Sequence, residues 1–98
     1  MEFNFRAELW EWQGQAAWCF VSLPQDYYHE IKLLTSQPKK GFGSVKVEAG
    51  VGSTIWRTSI FPDSKSGTYL LPIKKSVRKS ESIEIGDELA VQIRLIDF

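Results

Sequence analysis

Polar and apolar residues alternate along most of this chain, and that alternation predicts strands. Phe3, Phe5, Ala7 and Leu9 are interleaved with Asn4, Arg6, Glu8 and Trp10, the period of a strand with one buried face. Gln13-Gly14-Gln15 predicts a turn, and residues 16–23 the returning strand. A hairpin closed at Gly14 sets Leu9 opposite Cys19, Ala7 opposite Val21 and Phe5 opposite Leu23, with Trp10 facing Trp18 on the other side. Pro24 has no N–H to give a ladder, so it ends this strand, and it suits the first turn of a helix. Tyr27, Ile31 and Leu34 then fall at helical spacing within residues 25–36, with an exit loop over 37–41.

The second half repeats this order. Val45, Val47, Ala49 and Val51 alternate with Ser44, Lys46, Glu48 and Gly50, and Gly50-Val51-Gly52-Ser53 turns the chain into a strand over 54–61. That turn puts Val47 opposite Trp56 and Val45 opposite Thr58, leaving Arg57 and Ser59 on the other face. A polar loop over 62–67 precedes a strand over 68–73, then a short helix over 74–82 whose one clearly inward residue is Val77. After the Gly86-Asp87 turn, Leu89, Val91, Ile93 and Leu95 alternate with polar or small residues. The order strand, strand, helix, strand thus occurs twice, with Leu23-Pro24 and Leu71-Pro72 in matching places. The expected fold class is mainly β with two short helices. Residues 1–98 are expected to form a single domain, a small six-stranded barrel with pseudo-duplicated strand-strand-helix-strand halves, because closure removes exposed strand edges.

At 98 residues, with 43% hydrophobic and 13% aromatic content, the composition is that of one folded domain with little core to spare. The formal net charge of zero gives no long-range field for nucleic acid or an anionic membrane. Local asymmetry remains: residues 65–80 hold five bases and no acid, and residues 81–98 hold five acids and one Arg. The lone Cys19 offers no internal disulfide, the N-terminus does not read as a signal peptide, and no apolar run is long enough to span a membrane. A cytoplasmic protein without membrane association is expected.

The run Trp56-Arg57-Thr58-Ser59, Phe61-Pro62, Gly67-Thr68-Tyr69, Leu71-Pro72-Ile73-Lys74-Lys75, Val77-Arg78-Lys79 and Gly86-Asp87 resembles an uncharacterised prokaryotic family, domain-of-unknown-function family nineteen-oh-five. Phe5-Arg6-Ala7 and Val21-Ser22-Leu23-Pro24 match its first half. The resemblance implies a double-split β-barrel of two interlocked halves and lends no activity. A second resemblance, to AbrB/MazE-type swapped-hairpin DNA-binding proteins, rests on the spacing from Arg78 to Gly86-Asp87. Here the interval from Pro72 to Arg78 is longer than theirs, and Glu81 stands where they carry an apolar residue.

Few residues invite chemistry. His29 is expected on the surface of the first helix and Cys19 in the core, too far apart in character for a nucleophile–base pair. One His and one Cys make no zinc set, and no cofactor is expected. Gly41-Phe42-Gly43 and Gly50-Val51-Gly52 read as hairpin punctuation, and Asp87 as a turn cap. The basic group Lys74, Lys75, Arg78 and Lys79 forms one helix face. Lys74 and Arg78, with Arg57, Thr58 and Ser59, form a candidate ligand site for a carboxylate or phosphate. The bland alternative is a solvated face neutralised by Glu81, Glu84 and Glu88. Trp10, Trp12, Trp18 and Phe20 share the face away from Leu9 and Val21. A helix is expected to cover them as a second layer; uncovered, Trp10, Trp12 and Trp18 form a partner surface. Trp12, beside the turn, is expected to stay partly exposed, and Trp56 to lie in the core with Val47.

The leading expectation is a non-catalytic binding or interaction module, monomer or homodimer, for an unknown ligand or protein partner. An AbrB/MazE-like DNA-binding or regulatory role is the alternative, less favoured by the charge balance. A small-molecule enzyme has least support, since no poised His or carboxylate pair is evident.

Overall fold

The last strand shows most directly how the sequence builds the core. From Glu88 to Leu95 burial alternates strictly, with Leu89, Val91, Ile93 and Leu95 inward and Glu88, Ala90, Gln92 and Arg94 outward. In a computed structural model that describes residues 1–12, 18–35 and 43–96, this strand lies inside a curled antiparallel sheet of seven strands. Those are β1 (Glu2–Glu8), β2 (Trp10–Glu11), β3 (Cys19–Ser22), β4 (Val45–Val51), β5 (Thr54–Asp63), β6 (Thr68–Pro72) and β7 (Glu88–Leu95). Helix α1 (Gln25–Leu34) joins β3 to β4, and α2 (Lys75–Ser80) joins β6 to β7. The fold class is therefore mainly β with two helices among the described residues, and the element order is strand-strand-strand-helix-strand followed by strand-strand-helix-strand.

The sheet order β1-β7-β4-β5-β6-β3-β2 makes β1 and β2 the two edges, although only Leu9 separates them in sequence. The alternation predicts six strands; the first is divided at Leu9, giving seven. The fully buried Leu9 gives its N–H to the Asp87 carbonyl (2.9 Å), and its own carbonyl accepts from the Gly86 N–H (2.8 Å). The Gly86-Asp87 turn thus satisfies the backbone where the strand changes partner. Gly86 holds φ +95, and Asp87 Oδ2 accepts from the Glu84 N–H at 2.9 Å, the capping role expected of it.

The division at Leu9 overturns the expected first hairpin. β1 pairs with β7, so Phe5 opposes Val91 and Ala7 opposes Leu89, while in the β2–β3 ladder Trp10 opposes Phe20 rather than Trp18. The second hairpin also slips: Ala49 opposes Trp56 and Val47 opposes Thr58, because β4 continues through Val51 and only Gly52-Ser53 make the turn. Both slips are of two residues and keep every side chain on its expected face. β3 and β6 pair antiparallel (Val21 with Leu71), and the ladder extends through Leu23 N–H to Tyr69 O and Ile73 N–H to Cys19 O. The strands that carry the two Leu-Pro segments are therefore neighbours, with Leu23-Pro24 and Leu71-Pro72 at opposite ends of their antiparallel ladder. The expected turn at Gly14 and the exit loop at 37–41 lie outside the described residues.

On the concave side α1 buries Ile31, and Tyr27 meets the rings of Phe3 (5.0 Å between centroids) and Phe5 (6.2 Å). Tyr28 meets Tyr69 at 5.0 Å. Burial pushes the Tyr69 hydroxyl up from its ordinary titration range. Helix α2 contributes Val77, the inward residue expected of it. No helix among the described residues is long and apolar enough to cross a membrane.

Candidate binding surface

Because α1 occupies the concave side, it cannot cover the convex one. The expected helix layer over the tryptophans is absent among the described residues. On β2 and β3 the outward residues are Trp10, Phe20 and Ser22; Leu70 and Pro72 of β6 stand beside them, and Phe61 of β5 opposes Leu70. Trp10 is fixed by its indole N–H, which donates to Ser22 Oγ at 3.0 Å. Its ring lies 5.4 Å from Phe20 and 5.9 Å from Trp12, and Trp18 stacks on Phe20 at 6.1 Å with planes 15° apart. Trp18 is 56% exposed, Phe61 43% and Trp12 37%. Aromatic rings packed against one another on these strands and just beyond their ends present an apolar surface to water, which costs free energy unless something covers it.

Between these rings runs a groove of about 380 Å³ lined by Trp12, Trp18, Phe20, Phe61 and Leu70, with Pro62 and Asp63 at one end. Ser66 donates to Asp63 Oδ2 through its hydroxyl (2.6 Å) and its N–H (3.1 Å). The Ser66 hydroxyl, ahead of the backbone bonds, holds the Asp63 carboxyl below its usual range, so it is ionised at neutral pH. A second concavity of about 290 Å³ shares Trp18 as a wall and continues over Cys19, Pro72 and Ile73 to Lys74 and Lys75.

The proposed anion ligands divide between two places. Arg57, Thr58 and Ser59 line a separate concavity of about 490 Å³ with Lys46, Phe61 and Ile96. Lys74 lies in the Trp18 concavity, and Arg78 turns back so that its Nε donates to the Ile73 carbonyl at 3.1 Å. Arg57 also ends a row of alternating charge across four strands, Glu2, Arg94, Glu48 and Arg57, each opposite the next. Within it Arg94 bonds Glu48 at 2.8 Å. Acidic residues expected near the basic helix are engaged elsewhere: Glu88 pairs with Arg6 at 2.9 Å, and Glu81 accepts from the Thr54 hydroxyl at 2.6 Å.

Cys19 is buried and His29 exposed, and no group of three or more His, Cys, Asp or Glu among the described residues is placed to hold a metal. Phe61, Leu70 and Lys46 line these concavities without having stood out in the sequence. Phe61 carries a signal that could have found it, since Ile55, Arg57, Ser59 and Phe61 continue one outward alternation. Leu70 carries none, because Thr68–Pro72 is buried on both faces and shows no period.

The structure thus defines a mainly β domain with two helices, a filled concave side and an uncovered aromatic groove on the convex side. The family described as Domain of unknown function (DUF1905) matches residues 5–93, and this chain belongs to it. No curated protein matches the chain.

Proposed function

We propose that this domain is a non-catalytic binding or interaction module whose contact surface is the groove between Trp12, Trp18, Phe20 and Phe61. The observation that carries this reading is the exposure of Trp18 and Trp12, one residue beyond the ends of β3 and β2, beside an apolar groove. Large aromatic side chains are the residues most often found to dominate binding energy, and their ordering cost is already met by the stacking within the group. We further propose that β1 and β2 act as one bent strand, closing the sheet as a six-stranded double-split barrel in one domain. Closure would make the groove a preformed feature.

The test is an NMR titration with a library of small apolar and aromatic fragments, following the indole N–H signals of the four tryptophans. Shifts centred on Trp12 and Trp18, lost in Trp18→Ala, support the reading. Shifts confined to residues around Lys46 and Arg57 would replace it with the second reading, an anion site on Arg57, Thr58 and Ser59. That alternative draws on the way Lys46 meets those three residues in one concavity.

A further inference from the structure

The groove's occupant can be narrowed by what adjoins it, on the reading that the groove is the contact surface. We propose that it binds single-stranded nucleic acid, with bases stacked on Trp18 and Trp12 and phosphates held by Lys74 and Lys75. Two concavities have Trp18 as a common wall; one is almost wholly aromatic and apolar, and the other reaches the exposed Lys74 and Lys75. A ligand that fills both needs flat apolar rings joined at short range to negative charge, which is the chemistry of a nucleotide strand. Phe20 backs Trp18 in a nearly parallel stack, and with 56% of Trp18 exposed an incoming base extends a stack already begun.

Polarity along the groove agrees. Asp63 opposes Thr68 at the start of β6, whereas Lys74 follows Pro72 at its end, so carboxylate and ammonium groups lie at opposite ends of one strand. The ionised Asp63 repels phosphate from its own end and can accept a hydrogen bond from an exocyclic base amine there. A wholly apolar partner would bury Lys74 and Lys75 without counter-charge, at a cost that disfavours it. A duplex hides the base faces that the rings would need. Because the chain's net charge is zero, attraction comes from about two phosphate contacts rather than from a long-range field.

Quenching of tryptophan emission by oligothymidylate and oligoadenylate tests this directly. The expected result is binding that weakens roughly sevenfold between about 50 and 200 mM salt, as counterion release from two neutralised phosphates of a single strand implies. Trp18→Ala is expected to weaken binding at least about fivefold, with Trp18→Tyr retaining most of it. The pair Lys74→Ala with Lys75→Ala is expected to flatten the salt dependence. No quenching at low salt, equal affinity for duplex, or indifference to Trp18→Ala would each overturn the proposal. If oligonucleotides fail while fragments still shift the Trp12 and Trp18 signals, the groove remains the contact surface and only its occupant is wrong. Occupation of the groove by a proline-rich peptide or by a second copy of the chain leads to that same outcome. If the fragments fail as well, both readings fall.

Discussion

Thr54 donates its hydroxyl to Glu81 at 2.6 Å, tying the start of β5 to the residue that caps α2. Ser53 adds a longer bond to the same oxygen at 3.4 Å. The contact explains how the chain accepts a half-buried carboxylate at the end of α2: hydroxyls on the neighbouring hairpin supply donors. Each partner's removal should cost about 1 kcal/mol, since a half-buried carboxylate loses its donor or a hydroxyl its acceptor. In urea denaturation of Thr54→Ala, Glu81→Ala and the double variant, a coupling of at least about 0.5 kcal/mol is expected. Simple additivity would mean that the pair does not hold the hairpin to the helix.

Gly52, in the same hairpin, is constrained twice. Its φ of +60 belongs to the left-handed region, and a Cβ there would collide with Glu81 Oε1. Gly52→Ala is therefore expected to lose about 1–3 kcal/mol, the sum of backbone strain and displacement of the carboxylate. Repeating it in a Glu81→Ala background separates the two. The penalty should fall, because the collision is gone, but should not vanish, because the dihedral is unchanged.

Leu9 carries a larger share of stability. It is fully buried and sits where the chain passes from β7 to β3 as its pairing partner. Leu9→Ala keeps the backbone bonds to Gly86 and Asp87 and removes only the side chain, so the expected loss is about 2–5 kcal/mol from cavity formation. Against a total of about 5–15 kcal/mol, that is enough to lower the thermal midpoint sharply. Amide exchange should accelerate first at β1 and β2. A loss below about 1 kcal/mol would show that this position is not a packed pivot.

The strict alternation of β7, and the looser one of β4 until its last three buried residues, is enough to decide which side chains face inward, and the rough order of helices and strands follows from the same periods. Register along the strands is not legible in that way. A slip of two residues preserves every face, so hydrophobic pattern alone cannot choose between Trp18 and Phe20 as the partner of Trp10, nor between Val47 and Ala49 as that of Trp56. The break at Leu9 is hidden for a related reason, because β1 finds its partner β7 at the far end of the chain. The aromatic group can be named from sequence, but apart from Trp12, expected and found partly exposed, its exposure cannot. That depends on α1 choosing the concave side, where Tyr27 meets Phe3 and Tyr28 meets Tyr69.

Acid should loosen the Asp63–Ser66 turn at the groove's end. The folded carboxyl titrates below its unfolded value of about 4, so its stabilising contribution is complete above that pH and disappears as pH falls through the folded value. Asp63→Asn should therefore be slightly less stable than the parent near neutrality, by well under about 1 kcal/mol because the site is solvent-screened, and equal to it in strong acid. Paired urea titrations across pH check this. A gap that widened on acidification would contradict the assignment.

Two tryptophans should respond very unequally to the same substitution. Trp56 is 9% exposed, faces inward opposite Ala49 and is packed into the core, so Trp56→Ala should cost about 3–5 kcal/mol. Trp18 is 56% exposed and rests one face on Phe20; its removal opens no cavity and should change stability by no more than about 0.5 kcal/mol. Trp10→Phe belongs between them, losing the bond to Ser22 at about 1 kcal/mol. A large, exposed indole that contributes almost nothing to folding has its energetic use outside the fold. Were Trp18→Ala to destabilise as much as Trp56→Ala, the indole would be part of the core, and the convex groove would lose its claim as a contact surface.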